Sequence, residues 1–195
     1  MKKIILILFL FLSCYIIYIL TETNEQSYLS IGTIHIKEHN NYFVNEDYRI
    51  IDLINIIKYN EEKLINNKNI SIHRLLKKSD YLVISIGMND IYSKLNNDTK
   101  NIYTYINDMT NNMNTLLKEI DNYSYKKVLV LGYYNIGNNN NDIFTYLNYK
   151  IEKVTKKYNY EFIELNKIFK NNQKYYKNSN NFFCIFFPVI DTVDH

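Results

Sequence analysis

Asn89 and Asp90 are the residues whose type and placement could first do chemistry in this chain. They close the run Tyr81-Leu82-Val83-Ile84-Ser85-Ile86-Gly87-Met88-Asn89-Asp90. Its apolar part reads as a strand buried on both faces, as in a parallel sheet. A glycine and two turn-forming side chains at its carboxyl end stand where open α/β sheets place their ligands. An Asn89 amide there could donate to a developing oxyanion. The same two residues could equally cap the following helix. His35-Ile36-Lys37-Glu38-His39 matches the H-x-x-E-H spacing of inverted zinc proteases. That chemistry needs both histidines on one helical face. Here the pattern trails a strand and runs into Asn40-Asn41, so it is read as a solvated strand end and loop. No metal or other cofactor is expected. The chain ends in Asp191-Thr192-Val193-Asp194-His195, after an apolar stretch from Phe182 to Ile190 that holds the only proline.

The elements that must position these residues alternate in type. Tyr28 to Ile36 reads as a first strand broken by Gly32. Ile50, Ile51, Leu53, Ile54, Ile56 and Ile57 give a broad apolar face to a helix ending near Tyr59. Asn60 to Asn69 reads as a polar loop, and Ile70 to Lys78 as a short helix with Ser71 as its cap. Beyond the 81–86 strand, Asn96 to Lys100 reads as a loop, with Asp98 or Thr99 as cap candidate. Ile102, Ile106, Met109, Met113, Leu116, Leu117 and Ile120 recur at three- and four-residue steps, the mark of an amphipathic helix. Val128 to Leu131 is the next buried strand, followed by Gly132-Tyr133-Tyr134-Asn135. Ile143, Leu147, Ile151 and Val154 carry a helix to about Tyr158. Phe162 to Leu165 reads as a short strand, and Ile168-Phe169 as a short helix. Strands alternating with helices imply βαβ units and a mostly parallel sheet with right-handed crossovers. A length of 195 residues suits one domain with a sizeable core, and no internal boundary or repeat is visible.

Composition narrows the function classes. A hydrophobic share of 47% excludes a compositionally disordered chain. The excess of Asn, Lys, Ile and Tyr reads as coding bias. The net charge of +3 includes Lys2 and Lys3, and no basic stripe argues for nucleic acid. Cys14 and Cys184 do not make a disulfide framework. Lys2-Lys3 precede an apolar run from Ile4 to Leu20, about 17 residues, near the lower limit for spanning a bilayer. No small-x-small cleavage site follows, and the residues after Cys14 stay apolar. The reading is an uncleaved membrane anchor over residues 1–20, with a cleaved signal or lipidation at Cys14 as alternatives. A positive end kept in the cytoplasm places the body outside it. Residues 21–27 form a linker and 28–195 the folded domain.

With a strand, a Gly-x-Asn-Asp segment, a long helix and Val128-Leu129-Val130-Leu131-Gly132-Tyr133-Tyr134-Asn135 in this order, the chain resembles the SGNH hydrolases, also called GDSL-type lipases and esterases. The resemblance covers about Tyr28 to Lys177. Its most specific part is Asp80 to Asp90, which looks like the family's third block. It implies a three-layer α/β/α fold with a mostly parallel, flavodoxin-like sheet, and hydrolysis of esters of lipids or acylated sugars. The family's chemistry uses a Gly-Asp-Ser serine after the first strand and a histidine in a C-terminal Asp-x-x-His. A second-block glycine and the third-block asparagine complete the oxyanion hole.

Carried over residue by residue, Gly32 falls on the motif glycine, Thr33 on the aspartate and Ile34 on the nucleophile. Isoleucine cannot attack an acyl carbon. Ser30 falls within the strand, and Thr33, one residue out of register, should point elsewhere. Asp47-Tyr48-Arg49-Ile50-Ile51-Asp52-Leu53 resembles the second block. Asp47 then replaces the oxyanion-hole glycine and would repel the charge. Gly87 and Asn89 match the third block and are the oxyanion-hole residues that the resemblance implies. Asp191 and His195 are the implied acid and base, one residue too far apart for Asp-x-x-His, while Asp194 adjoins His195. The apolar run and the end that follows it read as a shifted reading frame or decayed gene, with the domain incomplete. The resemblance therefore implies a hydrolase scaffold lacking its nucleophile. The expected role is a non-catalytic, extracytoplasmic module with an ester or glycan ligand in its cleft, or a decayed product. An active acyl-ester hydrolase is the alternative.

Overall fold

The computed structural model describes residues 27–33, 41–65, 67–95, 100–134 and 141–170. In chain order the elements are β1 (Tyr28–Gly32), β2 (Asn41–Val44), α1 (Ile50–Lys58), β3 (Glu62–Ile65), β4 (Lys68–Ser71), α2 (Ile72–Lys78), β5 (Tyr81–Ser85), α3 (Met88–Leu95), α4 (Ile102–Ile120), β6 (Lys127–Leu131), α5 (Asn141–Lys156), β7 (Glu161–Ile163) and α6 (Leu165–Lys170). Five strands form one sheet in the order β2-β1-β5-β6-β7. Every pairing in it is parallel. Counted among themselves these strands run 2-1-3-4-5, the flavodoxin-like winding that the resemblance implied. The first strand and the 81–85 strand are direct neighbours, as that winding requires.

The strands form because their apolar runs can be buried on both sides. Leu29, Ile31, Leu82, Ile84, Val128 and Val130 join Ile50, Leu53 and Ile57 of α1, Ile106, Met113 and Leu117 of α4, and Phe144, Leu147 and Ile151 of α5 in one core. Each such side chain contributes roughly 1.5–3 kcal/mol when fully buried. The alternate residues Ser30, Val83, Leu129 and Leu131 are also buried. The methionines of the α4 stripe, Met109 and Met113, are core residues, as the periodicity predicted.

Asp80 ties three strands together at their amino ends. Its Oδ2 accepts from the N–H and hydroxyl of Ser27 at 3.1 and 3.0 Å. Its Oδ1 lies 3.1 Å from Lys126 Nζ. The Ser27 hydrogen bonds, then Lys126, hold this carboxyl below its ordinary range.

At the carboxyl ends the register is fixed by contact. Gly32 pairs with Ser85, and the N–H of Thr33 donates to the Ser85 carbonyl at 2.6 Å. Gly32 has φ +114°, and a Cβ there would overlap the Ser85 carbonyl oxygen. Only glycine fits both demands.

Some expectations change. The stretch 60–69 is not a loop: β3 and β4 form an antiparallel hairpin outside the main sheet. Its strands are mostly polar and at most half-buried where described, so no hydrophobic alternation announced them, and Asn60 and Asn67 supply the positive φ values that bend the chain. Asn41 is not a loop residue but opens edge strand β2, in which Phe43 is the buried side chain. The first strand ends at Gly32 because the backbone turns there. Asn89 and Asp90 lie in the first turn of α3. Ser71 does cap α2, accepting from the N–H of Arg74 at 3.3 Å. Helix α4 begins at Ile102 with Asn101 as N-cap, and Asp98 and Thr99 lie outside the described residues. Leu165 opens α6 rather than closing the last strand. The expected anchor over 1–20, Cys14 and Cys184 lie outside the described residues, and no helix among those described is long and apolar enough to cross a membrane.

Helix α1 takes its N-terminal cap from a distant residue. The N–H of Ile50 donates to Asp90 Oδ2 at 3.1 Å. Burial raises the Asp90 carboxyl above its ordinary value of 3.8, opposed by the Ile50 N–H and by the Arg49 charge.

Two outcomes follow from these contacts. Gly32→Ala should lower the unfolding free energy by about 3 kcal/mol, read from urea denaturation. The second concerns pH. Asp90 binds its proton more tightly folded than unfolded, so its contribution to stability is complete below pH 3.8 and is lost as pH rises through the raised folded value. Asp90→Asn keeps an acceptor for Ile50 without ionising. Its thermal midpoint should exceed that of the parent chain at neutral pH, and the gain should vanish in acid.

Candidate active site

A cleft of about 200 Å³ opens at the carboxyl ends of the parallel strands. Its walls come from the segments that leave each strand: Thr33 after β1, Glu46 after β2, Ser85 and Ile86 at β5, Gly132 and Tyr133 after β6, and Leu165 after β7. Asn89 and Tyr92 of α3 complete it. This is the position at which doubly wound sheets bind ligands, next to the switch between β1 and β5.

Two hydroxyls lie side by side in the cleft. Thr33 was expected to point elsewhere. The positive φ of Gly32 turns the chain so that Thr33 instead lines the cleft. Its Oγ1 donates to the Ser85 carbonyl at 3.0 Å. With that proton committed, Ser85 is the donor in the longer 3.4 Å contact between the two hydroxyls. An oxygen nucleophile needs a base within hydrogen-bond reach. Among the described residues that line the cleft there is no histidine. Ser30, placed in the first strand by the sequence, is buried in β1.

The Asn89 amide donates to the Glu46 carbonyl at 2.5 Å and to the Tyr48 carbonyl at 3.1 Å. Both partners can only accept, so the amide nitrogen must face them, and both of its hydrogens are used. An oxyanion in the cleft would find no Asn89 hydrogen in this arrangement. The sequence leaves Asn89 and Asp90 open between an oxyanion donor and a helix cap; Asp90 accepts from its own backbone N–H in the first turn of α3 as well as from Ile50. Sitting at the start of α3, they hold the loop before α1 and the first turn of α1.

Gly87 has φ +105°, and a Cβ there would overlap the Tyr133 hydroxyl and crowd the Met109 methyl. Its absence of a side chain makes room for the Tyr133 ring. Tyr133 is 1% exposed, and its hydroxyl has no hydrogen-bond partner among the described residues. Burial, then the Asp90 charge, pushes its ionisation far above the ordinary tyrosine value. Asn148 fixes the Tyr133 backbone, accepting from its N–H at 2.7 Å and donating to its carbonyl at 2.8 Å. Sequence reading missed Asn148. The available signal was a polar residue between Leu147 and Ile151 on the apolar stripe of α5.

The second block also shifts. Asp47 is exposed, with its N–H on Asn45 Oδ1 at 3.0 Å. The cleft is lined by Glu46 instead. Ile34, Asp191 and His195, together with His35 and His39, lie outside the described residues. Among those described, no group of three or more His, Cys, Asp or Glu could hold a metal ion.

Comparison with known proteins agrees with this architecture. An extracellular lipase from Streptomyces rimosus superposes with a TM-score of 0.53 at 15% identity, covering 75% of this chain and 82% of the lipase. A catalytic mutant of an acetylxylan esterase from Geobacillus stearothermophilus gives 0.54 at 13% identity, covering 76% of this chain and 80% of that one. At these identities the likeness is one of fold. No curated protein matches the sequence. The model of the family described as GDSL-like Lipase/Acylhydrolase matches residues 35–192. With most of its length inside that match and the parallel sheet and cleft in place, the chain belongs to the GDSL-like lipase/acylhydrolase family.

Proposed function

We propose that this chain is a catalytically impaired GDSL-type hydrolase that keeps its ligand cleft and binds an ester or an acylated glycan there. The observation that carries the reading is the commitment of both Asn89 amide hydrogens to the carbonyls of Glu46 and Tyr48. Three others support it. Isoleucine stands at the nucleophile position, Ile34. The family match begins at residue 35, past that position. The Thr33 hydroxyl spends its proton on a main-chain carbonyl. The continuous core and the five-stranded parallel sheet of the described residues favour a binding module over a decayed product. Ester and glycan ligands are the classes brought in by the likeness to a lipase and an acetylxylan esterase.

The membrane anchor belongs to the same proposal. Lys2-Lys3 and the apolar run from Ile4 to Leu20 would hold the domain on the outer side of a membrane. The reading as an active acyl-ester hydrolase is favoured by one observation, the paired Thr33 and Ser85 hydroxyls in the cleft.

The full chain separates these readings. It should be recovered with the membrane fraction and, in detergent, hydrolyse 4-nitrophenyl acetate no faster than buffer, since losing a nucleophile removes several orders of magnitude in rate. Thr33→Ala should change nothing. Turnover above buffer that Thr33→Ala abolishes would favour the active enzyme.

A further inference from the structure

We propose that the cleft selects its ligand by charge, and that Glu46 is the residue that does so. The inference rests on the reading that the cleft binds a ligand. Among the described residues that line it, Glu46 is the single charged side chain, and no lysine, arginine or histidine joins it. The described ion pairs run elsewhere: Lys167 holds Glu164, and Lys127 holds Glu161.

The main chain that carries this carboxylate is also held in place. The Glu46 carbonyl accepts from the Asn89 amide. The next residue, Asp47, has its N–H on Asn45. The main chain of Glu46 is therefore fixed against α3, and the exposed residue lines the cleft.

Size makes the charge matter. At about 200 Å³ the cleft is smaller than the roughly 300–1,000 Å³ of drug-sized sites. A ligand group here is about one sugar ring or a short acyl ester, so a charge on it cannot sit far from Glu46. Tyr92 and Tyr134 add aromatic wall, which favours a cation further. The cleft thus prefers a small ligand carrying an ammonium group, accepts a neutral one less well, and disfavours a carboxylate. For a solvent-accessible charge pair the expected preference is about threefold to fivefold per unit charge. It should shrink as salt is added.

The test uses three sugars of one ring size that differ in charge: glucosamine, glucose and glucuronate. Binding to the full chain is followed by ligand-observed NMR titration at neutral pH and low salt. Glucosamine should bind tightest and glucuronate weakest, roughly tenfold apart or more. Glu46→Gln should bring the three together, and Glu46→Lys should reverse the order. The Glu46 side chain is exposed, so both variants should fold, and their circular dichroism should match the parent. Equal binding of all three sugars by the parent chain, or an order that survives in Glu46→Gln, overturns the charge rule and leaves a ligand cleft standing. No binding of any of the three overturns both.

Discussion

The close approach of β1 to β5 is the constraint on which the rest of the molecule depends. Gly32 sits against the Ser85 carbonyl with no room for a side chain, and the Thr33 N–H bonds that same carbonyl. This contact sets the parallel register between the two strands. The register in turn places Thr33 beside Ser85 and opens the cleft at the carboxyl edge. Asp80 closes the opposite end by gathering Ser27 and Lys126. Between the two ends the packing of α1, α4 and α5 supplies the burial that holds the sheet.

At the edge itself, hydrogen bonds that could serve chemistry serve structure. The Asn89 amide has two hydrogens, and both pin the loop that leads into α1. Asp90 adds the cap of that helix across 40 residues of sequence. Thr33 gives its proton to a backbone oxygen. Gly87 exists to let the Tyr133 ring pass. Each commitment is favourable for folding, because a buried polar group without a partner is costly. Two of them, those of Asn89 and Thr33, also occupy hydrogens that face the cleft. Family membership and catalytic competence are therefore separate questions for this chain, and the fold answers only the first.

The sheet was largely legible because its signal is strong. Residues 81–85 and 127–131 are short apolar runs with glycine and turn residues after them, and the α4 stripe keeps its period for five turns. Strand β2 and the β3–β4 hairpin were not legible, since Asn41 to Val44 and Lys68 to Ser71 carry mostly polar or half-exposed side chains. Their strand character comes from backbone pairing with distant residues, which no local pattern encodes. In the site, Asn89 lines the cleft beyond the end of the 81–85 strand, where its place in the sequence put it, but its partners were not readable. That Asn89 faces Glu46 and Tyr48, and that Glu46 rather than Asp47 lines the cleft, depends on how the 45–49 turn is folded. Asn148 was hidden for a similar reason: a lone asparagine on an apolar helix face gives no sign of which backbone it will hold.

The most direct measurement is the intact mass of the full chain after incubation with an active-site-directed fluorophosphonate, which adds covalently to an activated serine or threonine hydroxyl. If the proposed impairment holds, the chain should show no added mass after hours with excess reagent. A stoichiometric adduct, located by peptide mapping to Thr33 or Ser85, would contradict the claim that this hydrolase scaffold has lost its nucleophile.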